Sequence, residues 1–317
     1  MKREPRYERQ TVQNRAATVI YDLADMDLKD TLECGQAFRY ELIAEEAGYV
    51  EYLTVIYGRL IRLAQRQRGE LIVFSESDDD LRLISDYFRL DLDWSAIREM
   101  ISSRTDSDWM RRAADAARGI HILKQDPWEA LFSFIISQNN NIPRIRKIIR
   151  RLSAEYGENL AIKEGEKVCP KGLCAEIDES VCRGCGICYS FPTAEAVAKN
   201  PEGLNAANPG FRYKYLVDAA SRVYAGECKL DKIQEKASFH EIAEELKAIK
   251  GVGDKVASCV ALFGMGRLEA FPIDVWMKRA IDEYFGGNLD HTVFGDFAGV
   301  AQQYIFHYIR NLNGEKN

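Results

Sequence analysis

The pattern of apolar and polar positions divides this chain into two parts. Over residues 16–75 apolar and polar side chains alternate, most clearly over 50–57 and 71–74, and this period of two is typical of half-buried strands. Glycines interrupt the alternation and mark turns between strands: Gly35, Gly48, Gly58 and Gly69. The pattern predicts an antiparallel sheet in the N-terminal part of the chain.

From residue 79 onward the apolar positions recur every three to four residues, as they do on one face of a helix. The predicted helices span residues 81–88, 109–118, 127–137, 144–156, 194–199, 214–225, 238–249, 254–263, 275–284 and 290–312. Ser238 and Glu241 have the spacing of a capping box and indicate where one helix begins. A β-rich part followed by a helical part predicts an α+β fold.

We divide the 317 residues into a β-rich N-terminal subdomain, residues 1–118, and a helical domain, residues 119–317. Residues 158–190 interrupt the helical pattern and contain a cluster of cysteines, so they are called the Cys-rich insert below. Apolar residues make up 46% of the chain, which is enough to build a buried core.

The formal net charge of −6 does not by itself indicate a nucleic-acid-binding protein. Residues 144–151, however, carry five cations and no acid, directly after Asn139, Asn140 and Asn141. Such a run is either a solvated helix face or a DNA-binding surface. Because amides and guanidinium groups are common ligands of bases and phosphates, we favour DNA binding.

The sequence contains neither an apolar run long enough to cross a membrane nor the apolar core of a signal peptide. We therefore expect a cytoplasmic monomer that is associated with the nucleoid when it is on DNA. In that compartment the eight cysteines are expected to be thiols or metal ligands rather than disulfides.

Residues 247–274 contain the most informative chemistry of the chain. Gly251, Val252 and Gly253 form a Gly-x-Gly turn, whose bare backbone and N–H groups suit the binding of a DNA phosphate. Lys255 follows in the first turn of a predicted helix, and Asp274 lies nineteen residues further on. A cation is disfavoured at the positive end of a helix, and a neutral amine is a nucleophile.

The hairpin resembles the helix-hairpin-helix of DNA base-excision glycosylases: residues 249–257 read Ile-Lys-Gly-Val-Gly-Asp-Lys-Val-Ala, and residues 271–275 read Phe-Pro-Ile-Asp-Val. Non-enzymatic DNA-binding proteins also contain this hairpin, but Lys255 with Asp274 is similar to the members that cleave the DNA strand as well. Further segments resemble the 8-oxoguanine DNA glycosylases: 35–39, 125–127, 132–135, 139–142 and 210–212. The resemblance extends from about residue 16 to about residue 310 and omits the Cys-rich insert.

Lys255 and Asp274 are the predicted catalytic residues. Cleavage of an N-glycosidic bond builds positive charge on the sugar, which a carboxylate can stabilise while an amine attacks the anomeric carbon. Asp274 also has the position of a helix N-cap, and the two roles are compatible.

Four residues are implied by the resemblance to recognise the extruded base: Gly35, Cys259, Gln302 and Phe306. Cys259 and Phe306 match residues that stack on its two faces, and Gln302 matches the residue that reads its Watson–Crick edge. Gly35 matches the glycine whose carbonyl accepts the ring N–H that oxidised guanine has and guanine lacks. This readout requires the base to be flipped out of the helix.

Four more residues match family positions that contact the DNA duplex at the place from which the base is extruded: Asn139, Arg144, Phe211 and Arg212. Asn139 resembles the residue that fills the vacated space, and Phe211 the aromatic that wedges into the stack. Arg144 and Arg212 match two arginines that read the orphaned cytosine. Trp276 departs from the eukaryotic pattern, which has a phosphate-contacting histidine at this position.

Five cysteines fall within twenty residues of the Cys-rich insert: Cys169, Cys174, Cys182, Cys185 and Cys188. Cysteines two residues apart are suited to chelate one metal, so we predict that four of these five bind zinc. An iron–sulphur cluster and free thiols remain alternatives. The run from Cys182 resembles bacterial ferredoxins but has Phe191 before the proline instead of a fourth cysteine. No organic cofactor is expected.

The residues and the resemblance together predict a bifunctional DNA glycosylase/AP lyase that removes 8-oxoguanine from double-stranded DNA. One alternative is a helix-hairpin-helix glycosylase for an alkylated purine or a mispaired adenine. A second is a non-catalytic DNA-binding module, and a third is a redox protein built on the Cys-rich insert.

Overall fold

The computed structural model describes residues 4–163 and 186–312. It begins with one six-stranded sheet whose neighbouring strands are all antiparallel, in the order β1-β2-β6-β5-β4-β3. The strands are β1 (Arg6–Val12), β2 (Arg15–Tyr21), β3 (Tyr40–Glu46), β4 (Tyr49–Ile56), β5 (Arg59–Gln65) and β6 (Leu71–Val73). The predicted antiparallel sheet is therefore confirmed.

Strand β1 precedes the region that the alternation predicted. All of its residues except Val12 are exposed or half-buried, because β1 is an edge strand. A strand without a buried face has no apolar alternation to recognise.

One face of the sheet is covered by two helices, α1 (Leu28–Glu33) and α2 (Asp78–Tyr87). Their buried residues, among them Leu32 and Ile84, share a core with Leu63 of β5. Helix α1 has only six residues, which is too short for a helical period to be visible in the sequence.

The remaining helices, except the short one at Leu160–Lys163, build the second and larger core. They are α3 (Trp94–Ser103), α4 (Asp108–Ala116), α5 (Pro127–Ser137), α6 (Ile142–Tyr156), α7 (Leu160–Lys163), α8 (Ala194–Lys199), α9 (Tyr213–Tyr224), α10 (Leu230–Gln234), α11 (Phe239–Lys247), α12 (Asp254–Gly264), α13 (Val275–Tyr284) and α14 (Ala298–Leu312). Short 3-10 helices cover Pro201–Ala207, Gly210–Arg212 and His291–Phe297. The predicted α+β order, sheet first and helices after, is confirmed.

Helices α5 and α12 lie at the centre of this core, and seven of the eleven residues of α5 and nine of the eleven residues of α12 are buried. Helices α3 and α4 pack into the same core through Trp94, Ile101 and Trp109. The predicted domain boundary at residue 118 stays a prediction, but these two helices show that the helical core begins before it.

The long helix predicted for residues 290–312 is wrong, because the chain is interrupted at Gly295. The φ of Gly295 is 55° and its ψ is −131°, a conformation that no helix contains and that favours glycine. The chain forms the 3-10 helix His291–Phe297 first, and α14 begins at Ala298.

The ends of the Cys-rich insert are joined to each other next to the sheet. The N–H of Leu160 donates to the carbonyl of Cys188 at 2.8 Å, and the N–H of Ser190 donates to the carbonyl of Glu158 at 2.9 Å. Cys188 is 3% exposed and packs with Leu53 of β4. The other predicted metal ligands, Cys169, Cys174, Cys182 and Cys185, lie outside the described residues.

Candidate active site

A cleft of about 530 Å³ opens where helices α5, α6, α12, α13 and α14 meet. Its lining combines aromatic, amide and charged side chains: Gly35, Phe38, Phe134, Ser137, Asn140, Asn141, Ile142, Pro143, Ile145, Lys255, Asp274, Trp276, Phe306 and Arg310. Four of the predicted site residues, Gly35, Lys255, Asp274 and Phe306, are thus brought together from distant parts of the chain. We call this space the catalytic cleft.

The predicted helix-hairpin-helix is present, with α11 and α12 as its helices and Gly251–Gly253 as its turn. Gly251 has a φ of +83°, and a Cβ at this position would overlap the ring of Tyr215, so only glycine fits. Gly253 is the N-cap of α12 and offers no capping side chain. The first N–H groups of α12 therefore stay available for an acceptor such as a DNA phosphate.

Lys255 occupies the first turn of α12, as predicted, and its amine points toward α5. Nζ donates a hydrogen bond to Oγ of Ser137 at 3.1 Å and lies 5.3 Å from the ring centroid of Phe134. The ring of Phe134 is in turn stacked on Phe263 of α12, with the centroids 5.4 Å apart. Packing between the two helices therefore holds the amine at the wall of the catalytic cleft.

Asp274 lines the same cleft and caps a helix. Its carboxylate accepts a hydrogen bond of 2.8 Å from the N–H of Met277, in the first turn of α13. The predicted N-cap is confirmed. The cap fixes the carboxylate in the cleft that also contains Lys255, so the cap and a catalytic role are compatible.

Gly35 and Phe306 form another wall of the cleft. The φ of Gly35 is +89°, and a Cβ added there would lie 3.4 Å from Cε1 of Phe306 and 3.3 Å from Cδ1 of Ile142. Any larger residue would be strained and would also fill part of the space beside the aromatic ring. The glycine therefore preserves room for a flat ligand.

Cys259 and Gln302 lie behind the wall rather than among the cleft-lining residues. Burial raises the pKa of the Cys259 thiol to about 11, and nearby Lys255 opposes this only in part, so the sulphur is a neutral thiol at pH 7. Gln302 is 4% exposed, and within residues 4–163 and 186–312 its Oε1 has no hydrogen-bond partner. A buried amide oxygen without a donor is costly, so this site suits a ligand with an N–H group.

Asn139, Phe211 and Arg212 meet beside the cleft, where α5 ends. Arg212 is 2% exposed, and its guanidinium donates to the carbonyls of Gln138 and Asn139, both at 2.8 Å. Asn139 is exposed and has a φ of 48°, while Phe211 is 50% exposed. Arg212 thus stabilises the turn that presents Asn139, and the half-exposed ring of Phe211 rests against Arg212 and Tyr215.

Arg144 lies near this turn and is exposed at the start of α6. Burial lowers the pKa of Arg212, and the neighbouring charge of Arg144 lowers it further. Two guanidinium groups this close favour an acceptor between them. Of the predicted pair, Arg144 is exposed to solvent, whereas Arg212 is buried and its guanidinium donates to backbone carbonyls.

Several lining residues were not among the predicted site residues, and three of them carry polar groups into the cleft: Ser137, Trp276 and Arg310. Arg310 is two helical turns from Gln302 and one turn from Phe306 on α14, a spacing that could have identified it. Ser137 has no such signal, because it is 118 positions from Lys255.

Residues 18–131 match the family model described as the N-terminal domain of 8-oxoguanine DNA glycosylase. A structure of MBOgg1 in complex with a low-affinity DNA ligand is 34% identical to this chain, with a TM-score of 0.79 and coverage of 97% of this chain and 99% of that one. The chain belongs to the 8-oxoguanine DNA glycosylase/lyase family.

Other members of the 8-oxoguanine DNA glycosylase/lyase family agree with this assignment. The Clostridium acetobutylicum 8-oxoguanine glycosylase/lyase, in complex with DNA that has cytosine opposite 8-oxoguanine, is 30% identical, with a TM-score of 0.79. The match covers 97% of this chain and 98% of that chain. An N-glycosylase/DNA lyase of Saccharomyces cerevisiae is 28% identical over 84% of this chain and 71% of its own length.

Proposed function

We propose that this protein excises 8-oxoguanine from double-stranded DNA and then cleaves the strand at the abasic site. The observation that carries the proposal is the placement of the Lys255 amine and the Asp274 carboxylate in one cleft, directly behind a hairpin with free N–H groups. Family membership supports the same activity.

The DNA backbone binds at the hairpin in this proposal. The N–H groups at the Gly253 end of α12 donate to a phosphate, and Phe211 enters the base stack while Asn139 fills the vacated position. The lesion then rotates into the catalytic cleft, where its sugar lies between Lys255 and Asp274.

The chemical step is an attack of the Lys255 amine on C1′ of the lesion nucleotide. The nitrogen lone pair forms the N–C1′ bond while the C1′–N9 bond breaks. The electron pair of the C1′–N9 bond leaves with the base, which takes up a proton. Asp274 stabilises the positive charge that builds on the sugar. The sugar ring then opens as the C1′–O4′ bond breaks, which leaves an imine between Nζ and C1′ and a hydroxyl at C4′. Loss of a C2′ proton to water expels the 3′ phosphate and cleaves the strand.

The family resemblance assigns recognition of the base to Gly35 and Phe306 in the cleft wall and to Cys259 and Gln302, which lie behind it. Cys259 and Phe306 stack on its two faces, Gln302 accepts from its Watson–Crick edge, and the carbonyl of Gly35 accepts the ring N–H specific to the oxidised base. The unpartnered Oε1 of Gln302 supports this assignment, because a flipped purine would supply the missing donor.

The decisive test is borohydride trapping on duplex DNA that contains one 8-oxoguanine. Hydride reduces the imine to a stable amine, so the wild type should give a covalent adduct. Lys255→Gln should give none and should release base at least about 10³-fold more slowly, with DNA affinity retained. Lys232→Gln, an exposed lysine on α10 that pairs with Glu235, is the control. An adduct that persists in Lys255→Gln would contradict the proposal.

Duplexes that carry 3-methyladenine, or adenine mispaired with 8-oxoguanine, distinguish the alternative base specificities in the same assay.

No helix within the described residues is long and apolar enough to cross a membrane. We further propose a monomer that works in the cytoplasm, on the nucleoid.

We also propose a structural metal in the Cys-rich insert. Four of the five cysteines of the insert are the proposed ligands: Cys169, Cys174, Cys182, Cys185 and Cys188. Four thiolates suit one zinc ion, with an iron–sulphur cluster as the alternative. Elemental analysis should find about one zinc per chain, lost when Cys182 and Cys185 are both replaced by serine and retained in Cys228→Ala, a buried cysteine outside the insert. A wild-type protein that is purified without metal and has titratable thiols in the insert would contradict the proposed metal site.

A further inference from the structure

Ser137 contacts the amine of Lys255, although it belongs to a different helix. It is the last residue of α5, and its Oγ lies 3.1 Å from Nζ of Lys255. It also lines the catalytic cleft. The contact therefore lies where the amine must approach the sugar.

The hydrogen of the Ser137 hydroxyl has a partner of its own. Oγ is 2.8 Å from the carbonyl oxygen of Phe134, which is one of the last four carbonyls of α5 and has no helical donor. A carbonyl oxygen can only accept, so the hydroxyl hydrogen points toward Phe134. Ser137 consequently presents only lone pairs to Lys255.

The direction of this hydrogen bond matters for a nucleophile. A hydroxyl that donated to the amine would occupy the nitrogen lone pair, which is the pair that attacks C1′. A hydroxyl that accepts takes one N–H hydrogen instead, and the lone pair of a neutral amine remains available. The Phe134 ring, 5.3 Å from Nζ, is a second contact that restricts the flexible lysine.

We propose that Ser137 is a positioning residue for the Lys255 amine. Its Oγ, oriented by the Phe134 carbonyl, holds Nζ at the wall of the cleft and leaves the attacking lone pair free. The role rests on the proposed function, since it acts only through the Lys255 nucleophile.

The test measures single-turnover base release and borohydride trapping for Ser137→Ala on 8-oxoguanine duplex. We expect both rates to fall about 10- to 100-fold, because a displacement of about 1 Å at a reacting atom costs up to 10²-fold. Affinity for a duplex with an uncleavable abasic analogue should be unchanged. Ser137→Thr, which keeps Oγ, should restore most of the rate.

Ser133→Ala is the matched control, since Ser133 is buried on the same helix, one turn earlier. A Ser137→Ala variant that reacts at the wild-type rate would overturn the role. A slower rate would also overturn it if the variant bound DNA more weakly than the wild type. The same holds if its unfolding midpoint were lower than that of Ser133→Ala. A wild type without a borohydride adduct would overturn both proposals, whereas a wild-type adduct with an equally fast Ser137→Ala would overturn only this one.

Discussion

Two of the clefts formed by the described residues are similar in size and differ in chemistry. The catalytic cleft has about 530 Å³, and a second cleft of about 480 Å³ lies beside α3 and residues 22–24. Each is lined by an aspartate that caps a helix: Asp274 accepts from the N–H of Met277 at 2.8 Å, and Asp93 from the N–H of Ala96 at 3.0 Å. Volume and a capping carboxylate therefore do not distinguish an active site.

The charged residues around the two aspartates do distinguish the two clefts. The catalytic cleft places Lys255 and Arg310 with Asp274. The second cleft adds Asp22 and Glu99, and no lysine or arginine is among the described residues that line it. An acidic cleft repels a DNA phosphate and holds no amine nucleophile, so only the first combines a nucleophile with a stabilising carboxylate.

The largest expected effect comes from exchanging the two capping aspartates for asparagine. Asparagine caps a helix about as well as aspartate, so both variants should keep their stability. Asp274→Asn removes the charge that stabilises the transition state and should slow base release about 10²- to 10³-fold. Asp93→Asn should react as fast as the wild type in the same single-turnover assay. Equal rates in the two variants would reduce Asp274 to a helix cap.

An intermediate effect is expected at His121, which lines the second cleft. Its Nδ1 lies 3.1 Å from the carbonyl of Phe88 and its ring stacks on Trp94 at 4.9 Å, while burial lowers its pKa from 6.5 to about 3. The unfolded chain therefore binds a proton below pH 6.5 that the folded chain does not. Stability is full above pH 6.5 and is lost as the pH falls toward 3.

At pH 5 this one histidine should cost about 2 kcal/mol of unfolding free energy relative to pH 7.5. His121→Asn keeps an N–H donor for Phe88 but does not titrate, so its stability should fall correspondingly less over that range. Urea unfolding at the two pH values measures the difference. Identical pH dependence in the variant and the wild type would argue against a neutral buried His121. Base release should not change.

The smallest expected effect concerns Arg144, at the rim of the catalytic cleft. Because Arg144 is exposed while Arg212 is tied to backbone carbonyls, Arg144→Ala should lower the preference for cytosine opposite the lesion about tenfold. The ratio of excision rates opposite cytosine and opposite adenine measures it. Arg151→Ala, exposed on the same helix, is the control. An unchanged ratio would show that Arg144 contributes charge alone.

Local sequence patterns were sufficient to predict the structure where the function depends on residues that are neighbours in the sequence. The Gly-x-Gly turn, Lys255 in the first turn of α12 and the Ser238 capping box all lie within single short segments, and the structure has each of them. Turn, cap and helix propensities act over a few residues, so their pattern can be recognised without the fold.

Local sequence patterns were insufficient to predict a helix or strand that is short or whose residues are exposed. The edge strand β1 lacks an apolar face, α1 has only six residues, and Gly295 breaks a helix that the apolar period alone would continue. In each case the conformation depends on packing or on one backbone angle rather than on a repeated pattern.

By itself the sequence determined which residue types could perform the chemistry, including the lysine, the aspartate and the three consecutive asparagines. The tertiary structure decided how they are used. Asn139 and Asn141 are both exposed, but Asn141 caps α6 and Asn140 donates to the carbonyl of Ile136, which leaves Asn139 as the exposed member that caps no helix. The packing of α5 on α12 likewise brings Ser137 to Lys255 across 118 positions. Such contacts arise from the burial of apolar faces between distant helices, and no local period of the sequence encodes them.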